Sequence, residues 1–305
     1  MRQLNKIALK TRNSTNPVLP AGARCLASFR KFKIRNGRGF TLIELLVVIA
    51  TIAVLLAILM PALRRAKVLA QGVACRANLR QLATAWNMYL DDYDGYFYQG
   101  INYNVLYGGW QGQGDPTELG VVPRPLNKYF GLPEILETEG SAKVFRCPGD
   151  RGGIYGDRYY EKVFRRLGTS YQTNIFLIGQ NACGTFSTNG NTAELDAAIS
   201  ARLTRVNRSN VGNPARIVLI GDYGWINQWM PVQHPLERLE PILNQKGLKE
   251  WAEWHGRVDC YNMAFLDSHA QLLNIRKGFY VTDEYSVLPF EELNYLAYEV
   301  QGYQP

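Results

Sequence analysis

"RNGRGFTLIELLVVIATIAVLLAILMPALRRAK" occupies residues 35–67, and its central run from Phe40 to Leu63 holds a single charged residue, Glu44. As a helix rising about 1.5 Å per residue, that run spans roughly 36 Å, enough to cross the hydrocarbon core of a bilayer. Arg35 and Arg38 precede it, and Arg64, Arg65 and Lys67 follow. A secretory signal peptide has an apolar stretch of only about 7–15 residues that ends in a small-residue cleavage site. The 39 residues ahead of Phe40 also exceed an ordinary signal-peptide n-region. A buried core helix requires neither this length nor these basic flanks. The pattern predicts a single membrane anchor.

A carboxylate inside such an anchor needs a reason, since it costs about 2.5–3.5 kcal/mol on insertion scales. Glu44 lies within one turn of the expected helix start, where it can reach the headgroup layer and interact favourably with the helix dipole. That accounts for tolerance but not for the neighbouring residues.

Gly39-Phe40-Thr41-Leu42-Ile43-Glu44, behind a basic leader and ahead of an apolar helix, resembles the processing site of type IV prepilins and type II secretion pseudopilins. In that family a prepilin peptidase cuts after the glycine and methylates the new N-terminal residue. The resemblance implies cleavage after Gly39 and N-methylation of Phe40. It also implies assembly with other pilin or pseudopilin subunits into a type IV pilus or type II secretion pseudopilus. Glu44 gains a partner in this reading, the Phe40 amine of a neighbouring subunit, and paired opposite charges offset much of the burial cost. Pro61 falls where pilins often carry a helix-bending proline, and its missing N–H removes one helical hydrogen bond.

Charge divides the chain in the same place. Residues 1–39 contain ten Lys or Arg and no Asp or Glu, so removing them from a net +8 leaves about −2. The basicity belongs to the leader, and a nucleic-acid partner is not indicated. By the positive-inside rule the leader stays in the cytoplasm. The head is then expected outside the cytoplasm, and the resemblance implies a single-pass protein of the bacterial inner (cytoplasmic) membrane.

After Leu63 the pattern becomes amphipathic. Leu69, Val73, Leu79, Leu82, Trp86 and Tyr89 define one expected helical face, and Gly95 after Asp94 is the expected C-cap. One helix over residues 40–94 would be some 80 Å long; two helices broken at Pro61 or Gly72 are the alternative. Residues 95–305 are rich in Gly, Pro and Tyr. Strand-like runs occur at Val144–Arg146, Ile175–Ile178, Ile217–Ile220 and Asn262–Leu266. Short helices are expected near 193–202 and 248–254, and a long loop at 183–213. The expected organisation is a leader (1–39), a transmembrane helix (40–63), its amphipathic extension (64–94) and a β-rich head (95–305). The fold class is α+β, with the long helix packed on an antiparallel sheet.

Further stretches resemble the long prepilin-like branch named for a processing-associated H-x9-DG motif. They are Cys75–Leu82, Tyr89–Phe97, Arg124-Pro-Leu-Asn127, Phe145-Arg-Cys147-Pro148-Gly-Asp150 and Ser170-Tyr-Gln-Thr-Asn174. The naming motif departs here: eleven residues separate His255 from Asp267, and Ser268 stands where glycine is expected.

Within that segment His255, Asp267 and His269 form a candidate transition-metal set, if His255 approaches a strand carrying the other two. A hairpin turn at Asp267-Ser268 needs no metal. Asp91, Asp92 and Asp94 lack the EF-hand spacing for calcium. No catalytic motif or cofactor site stands out, so no enzyme and no cofactor is expected. Trp225, Trp229, Trp251 and Trp254 suit either core packing or contact with carbohydrate. With Cys25 in the leader, Cys75, Cys147, Cys183 and Cys260 remain for an oxidising compartment. They allow three pairings, among which sequence does not choose; a Cys75–Cys147 bond would pin the sheet to the helix. No C-x-x-C occurs to suggest zinc.

The leading expectation is a structural subunit. The alternatives are an unassembled, membrane-anchored surface-binding protein and a membrane-anchored hydrolase built on His255, Asp267 and His269.

Overall fold

The computed structural model describes residues 40–98, 103–113, 121–155, 158–178, 206–226, 254–257, 259–276, 279 and 281–290. The chain divides into two compact units, residues 1–55 and 56–305. In the first, the described residues are exposed and helical from Leu42 onward.

Helix α1 (Leu42–Asp92) is a single 51-residue element that passes through Pro61 without interruption. Its apolar portion averages a hydropathy of 3.0 over 18 residues, none of them buried within the protein. By length and composition it qualifies as a membrane span. At the other end the Gly95 N–H donates to the Leu90 carbonyl at 2.7 Å. Asp94 and Gly95 are both left-handed, with φ of 52° and 80°. This i to i−5 closure is a Schellman-type stop in which Asp94 takes the left-handed C′ position and Gly95 follows it at C″.

The buried face of α1 differs from the one expected. It carries Gly72, Cys75, Leu79, Leu82, Trp86 and Tyr89, whereas Leu69 and Val73 are 69% and 59% exposed. The six-residue step from Val73 to Leu79 rotates about 600°, some 120° off the face, while Leu79, Cys75 and Gly72 keep steps of four and three. The interior phase is therefore set by small residues.

That face lies against a four-stranded antiparallel sheet of β3 (Tyr171–Thr173), β4 (Val218–Asp222), β5 (Cys260–Phe265) and β6 (Ala270–Asn274), arranged in chain order. Polar side chains on the helix fix the register. Asn78 Nδ2 donates to the Tyr171 hydroxyl at 3.2 Å, Arg76 Nη1 to Asn262 Oδ1 at 2.8 Å, and Asn87 Nδ2 to the Leu266 carbonyl at 2.9 Å. Between α1 and this sheet in the chain come a one-turn helix α2 (Tyr103–Leu106) and a separate ribbon that pairs β1 (Gly153–Tyr155) with β2 (Arg158–Tyr160). A short helix α3 (Val163–Leu167) follows the ribbon.

Two of the expected strands, at β4 and β5, are present, and two are not. Val144–Arg146 lies in a 3-10 turn (Lys143–Phe145) whose apolar residues reflect a buried Phe145 rather than a pleat. Ile175–Ile178 is a turn that begins where Asn174 ends β3. The amide protons of Leu177 and Ile178 both bond the Asn174 carbonyl, and that of Phe176 bonds its side chain. Strands β3 and β6 went unanticipated because three to five half-polar residues carry little periodic signal. The helix expected at 193–202, nearly all of the one at 248–254 and most of the 183–213 loop lie outside the described residues.

The segments that resemble the H-x9-DG branch supply buried polar staples. Asn127 accepts from Gly109 N–H at 2.7 Å and donates to the Gly109 carbonyl at 2.8 Å. Asn174 donates to the carbonyls of Val218 and Val287, each at 2.8 Å. Asp150 takes bonds from the amides of Gly152, Val163 and Phe164 and from the Ser170 hydroxyl. The Asp150 carboxylate thereby caps α3 from a distance in sequence.

Candidate functional site

Two places carry chemistry: the start of α1, and a buried cluster beneath its second half.

At the helix start Thr41 and Glu44 form a reciprocal capping box. The Glu44 N–H donates to Thr41 Oγ1 at 3.2 Å, and Glu44 Oε2 accepts from the Thr41 N–H at 2.9 Å and its hydroxyl at 2.8 Å. The sequence Thr-x-x-Glu at an orphaned helix start makes this geometry. Glu44 thus has a partner inside its own chain. Phe40 precedes the cap, is 74% exposed, and lies outside the helix. Pro61 sits within the helix, and Gly39 lies outside the described residues.

The second place joins four chain segments that are far apart in sequence. Cys75 comes from α1, Cys147 from the turn before Pro148, Asp222 from the end of β4, and His255 from the turn before β5. One ligand atom from each lies within 4.8 Å of all the others. Cys75 Sγ donates to Asp222 Oδ1 at 2.8 Å. His255 Nε2 lies 3.2 Å from Asp222 Oδ2 and 3.4 Å from Cys147 Sγ. Asp222 Oδ2 also accepts from the backbone and side-chain N–H of Asn262, each at 2.8 Å. The Gly149 N–H donates to Cys147 Sγ at 3.3 Å.

Burial and neighbouring charge divide the protons among these groups. Burial pushes the Cys75 thiol well above the usual range. Burial opposes charge on His255 too, but its hydrogen bonds with Asp222 and Cys147 outweigh that and raise it to about 10. Burial also acts upward on Cys147, yet hydrogen bonds from Cys75 and His255 bring that thiol below its usual value. His255 Nδ1 is buried and unpartnered.

Chemically these four groups are placed so that they could hold a metal ion, and they lack the geometry of a relay. In a nucleophile–base–carboxylate relay the carboxylate binds the imidazole nitrogen that faces away from the nucleophile. Here Asp222 and Cys147 meet the same nitrogen. The grouping of His255 with Asp267 and His269 does not form. Asp267 and His269 lie in the turn after β5, where Asp267 Oδ1 is 2.6 Å from His269 Nδ1. His255 precedes the same strand, so roughly a strand length of 15–20 Å intervenes. Ser268 adopts φ 73° in that turn, which explains a preference for glycine there.

Cys75 and Cys147 are free thiols in the structure, not the disulfide weighed as one pairing; Cys260 is also free, and Cys183 lies outside the described residues. The two sulfurs do meet, but as half of a four-group cluster. Asp222 had no signal in the sequence, because its partners arrive only when the sheet forms. At the acidic helix end Asp91 pairs with Arg208 at 2.6 Å, and Asp92 meets Lys128 and Tyr129. Trp225 and Trp254 are buried, with their indole N–H groups bonded to the Gln172 and Gly152 carbonyls. Trp229 and Trp251 lie outside the described residues.

Residues 34–60 match the family described as "Prokaryotic N-terminal methylation motif". Over 63 residues the chain is 44% identical to the type IV wide pilus major component PilA4 of Thermus thermophilus. That alignment covers 21% of this chain and 48% of the relative, so the chain spans about half the length of the curated protein it matches. No solved structure matches.

Proposed function

We propose that this chain is a prepilin-like structural subunit, cleaved after Gly39, N-methylated at Phe40, and assembled through α1 with other pilin or pseudopilin subunits. The observation that carries this reading is the conjunction at the start of α1. A methylation motif spans residues 34–60, and the helix that begins within it, at Leu42, has an apolar, exposed and membrane-length run. Such a surface is unstable in water and demands lipid or copies of itself. The Phe40 amine released by cleavage would stand one helical turn from Glu44. As helices stack, that amine on one subunit meets the Glu44 carboxylate of the next, which makes the carboxylate a register device for assembly. Residues 1–39 act as the leader, 40–63 as the membrane segment, 64–94 as its extension and 95–305 as the head, held outside the cytoplasm on the inner membrane.

The test is the intact mass and N-terminal sequence of protein recovered from native membranes. N-methylated Phe40 as the first residue supports the reading, and a chain retaining Arg38 and Gly39 refutes it. Glu44→Ala should abolish assembly while membrane insertion and head folding persist.

A further inference from the structure

We propose that Cys75, Cys147, Asp222 and His255 bind one zinc ion that clamps helix α1 to the head. The inference stands on the second half of α1 and the head, and holds whether or not the chain assembles.

Four protein groups, two sulfurs, one imidazole nitrogen and one carboxylate oxygen, converge within 4.8 Å of one another. This is a full tetrahedral complement of the type zinc takes at closed structural sites, and two soft thiolates disfavour magnesium or calcium. With zinc–sulfur bonds of about 2.3 Å and zinc–nitrogen or zinc–oxygen bonds of about 2.0 Å, the edges of the tetrahedron are about 3.3–3.8 Å. The sulfur–nitrogen edge of 3.4 Å and the nitrogen–oxygen edge of 3.2 Å already fit. Cys75 Sγ meets the other carboxylate oxygen, Oδ1, at 2.8 Å through a thiol proton, so its edge to the ligating Oδ2 forms only as the ion replaces that proton.

The surroundings are those of a ligand set held in place. Asp222 Oδ2 is fixed by two N–H groups of Asn262, and the Asn262 amide is itself oriented by Arg76, whose Nη1 donates to its Oδ1 at 2.8 Å. The Gly149 N–H points at Cys147 Sγ. Tyr171 lies 3.5 Å from Cys75 Sγ and accepts from Asn78, which leaves its own hydroxyl proton for a Cys75 thiolate. Outer partners of this kind orient ligands and tune a metal site. Gly149 clears the space for the imidazole: a β carbon there would lie 2.7 Å from His255 Cε1. The ligands belong to four segments that no disulfide joins among the described residues. One ion would therefore close α1, the Cys147 turn, β4 and the His255 turn into a unit.

The experiment uses the full chain in detergent, purified from cells supplied with zinc. Elemental analysis should give one zinc per chain. Cys147→Ser and His255→Ala should lower that ratio at least tenfold, while Cys260→Ser and His269→Ala leave it unchanged. Because a ligand variant can fail to fold, the wild-type chain supplies the second reading. Metal-free, reduced protein titrated with Co(II) should develop a thiolate-to-metal charge-transfer band and the strong visible bands of a tetrahedral ion, saturating at one equivalent. Folded protein that takes up no cobalt would overturn the proposal. So would native material in which mass spectrometry finds Cys75 and Cys147 joined by a disulfide.

Discussion

Gly149 leaves open the space that the His255 imidazole fills. A β carbon at position 149 would sit 2.7 Å from His255 Cε1, closer than side chains approach. At Gly72, across the same imidazole, a β carbon would sit 3.7 Å from Nδ1, an ordinary contact. Two glycines beside one ring therefore have opposite expectations. Gly149→Ala should destabilise the head by about 1–3 kcal/mol through overpacking. Gly72→Ala should stabilise by up to about 1 kcal/mol, since alanine is the better helix former. Denaturant midpoints of the full chain in detergent test the sign of each.

Glu44 has two roles that one substitution separates. Glutamine at the third helical position keeps the oxygen that accepts from Thr41 but removes the charge. Glu44→Gln should preserve helix content by circular dichroism and still abolish assembly, as Glu44→Ala does. Normal assembly by the glutamine variant would show that capping alone is what the position supplies.

Asp150 satisfies four donors with two oxygens. Removing it strands buried N–H groups, each costing about 1–3 kcal/mol. Asp150→Ala should cost at least about 3 kcal/mol. Asp150→Asn should also destabilise, because its amide nitrogen must face a donor whichever way it is turned. Thermal unfolding followed by near-ultraviolet dichroism measures both.

Ser268 is held left-handed at φ 73°, but its hydroxyl accepts from Asn87 Nδ2 at 3.0 Å. Glycine would relieve about 1 kcal/mol of strain and forfeit a bond of about the same worth. Ser268→Gly should therefore be neutral within about 0.5 kcal/mol in the wild type. With Asn87→Ala already present it should stabilise by about 1 kcal/mol. A double-mutant cycle reads the difference directly.

The long helix, its cap and its membrane-length apolar run are legible from the residues alone, because those depend on neighbours three to five residues apart. Thr41 and Glu44 are a local pair, Gly95 is a local stop, and the basicity of residues 1–39 is a matter of composition. The helix face was legible only in part. Leu79, Leu82, Trp86 and Tyr89 announce it, but Gly72 and Cys75 carry too little apolar weight to correct its phase. Strands β4 and β5 showed as apolar runs because both are buried almost throughout, while β3 and β6 were too short to show. The cluster was decided by tertiary structure alone. Cys75, Cys147, Asp222 and His255 share no spacing motif, and the nearest two in sequence are 33 residues apart. Only the packing of α1 across β3 and β4, with the His255 turn folded over them, brings two sulfurs, a carboxylate and an imidazole to one point. For His255, nearness along the chain points to Asp267 and His269, which the length of β5 holds away from it.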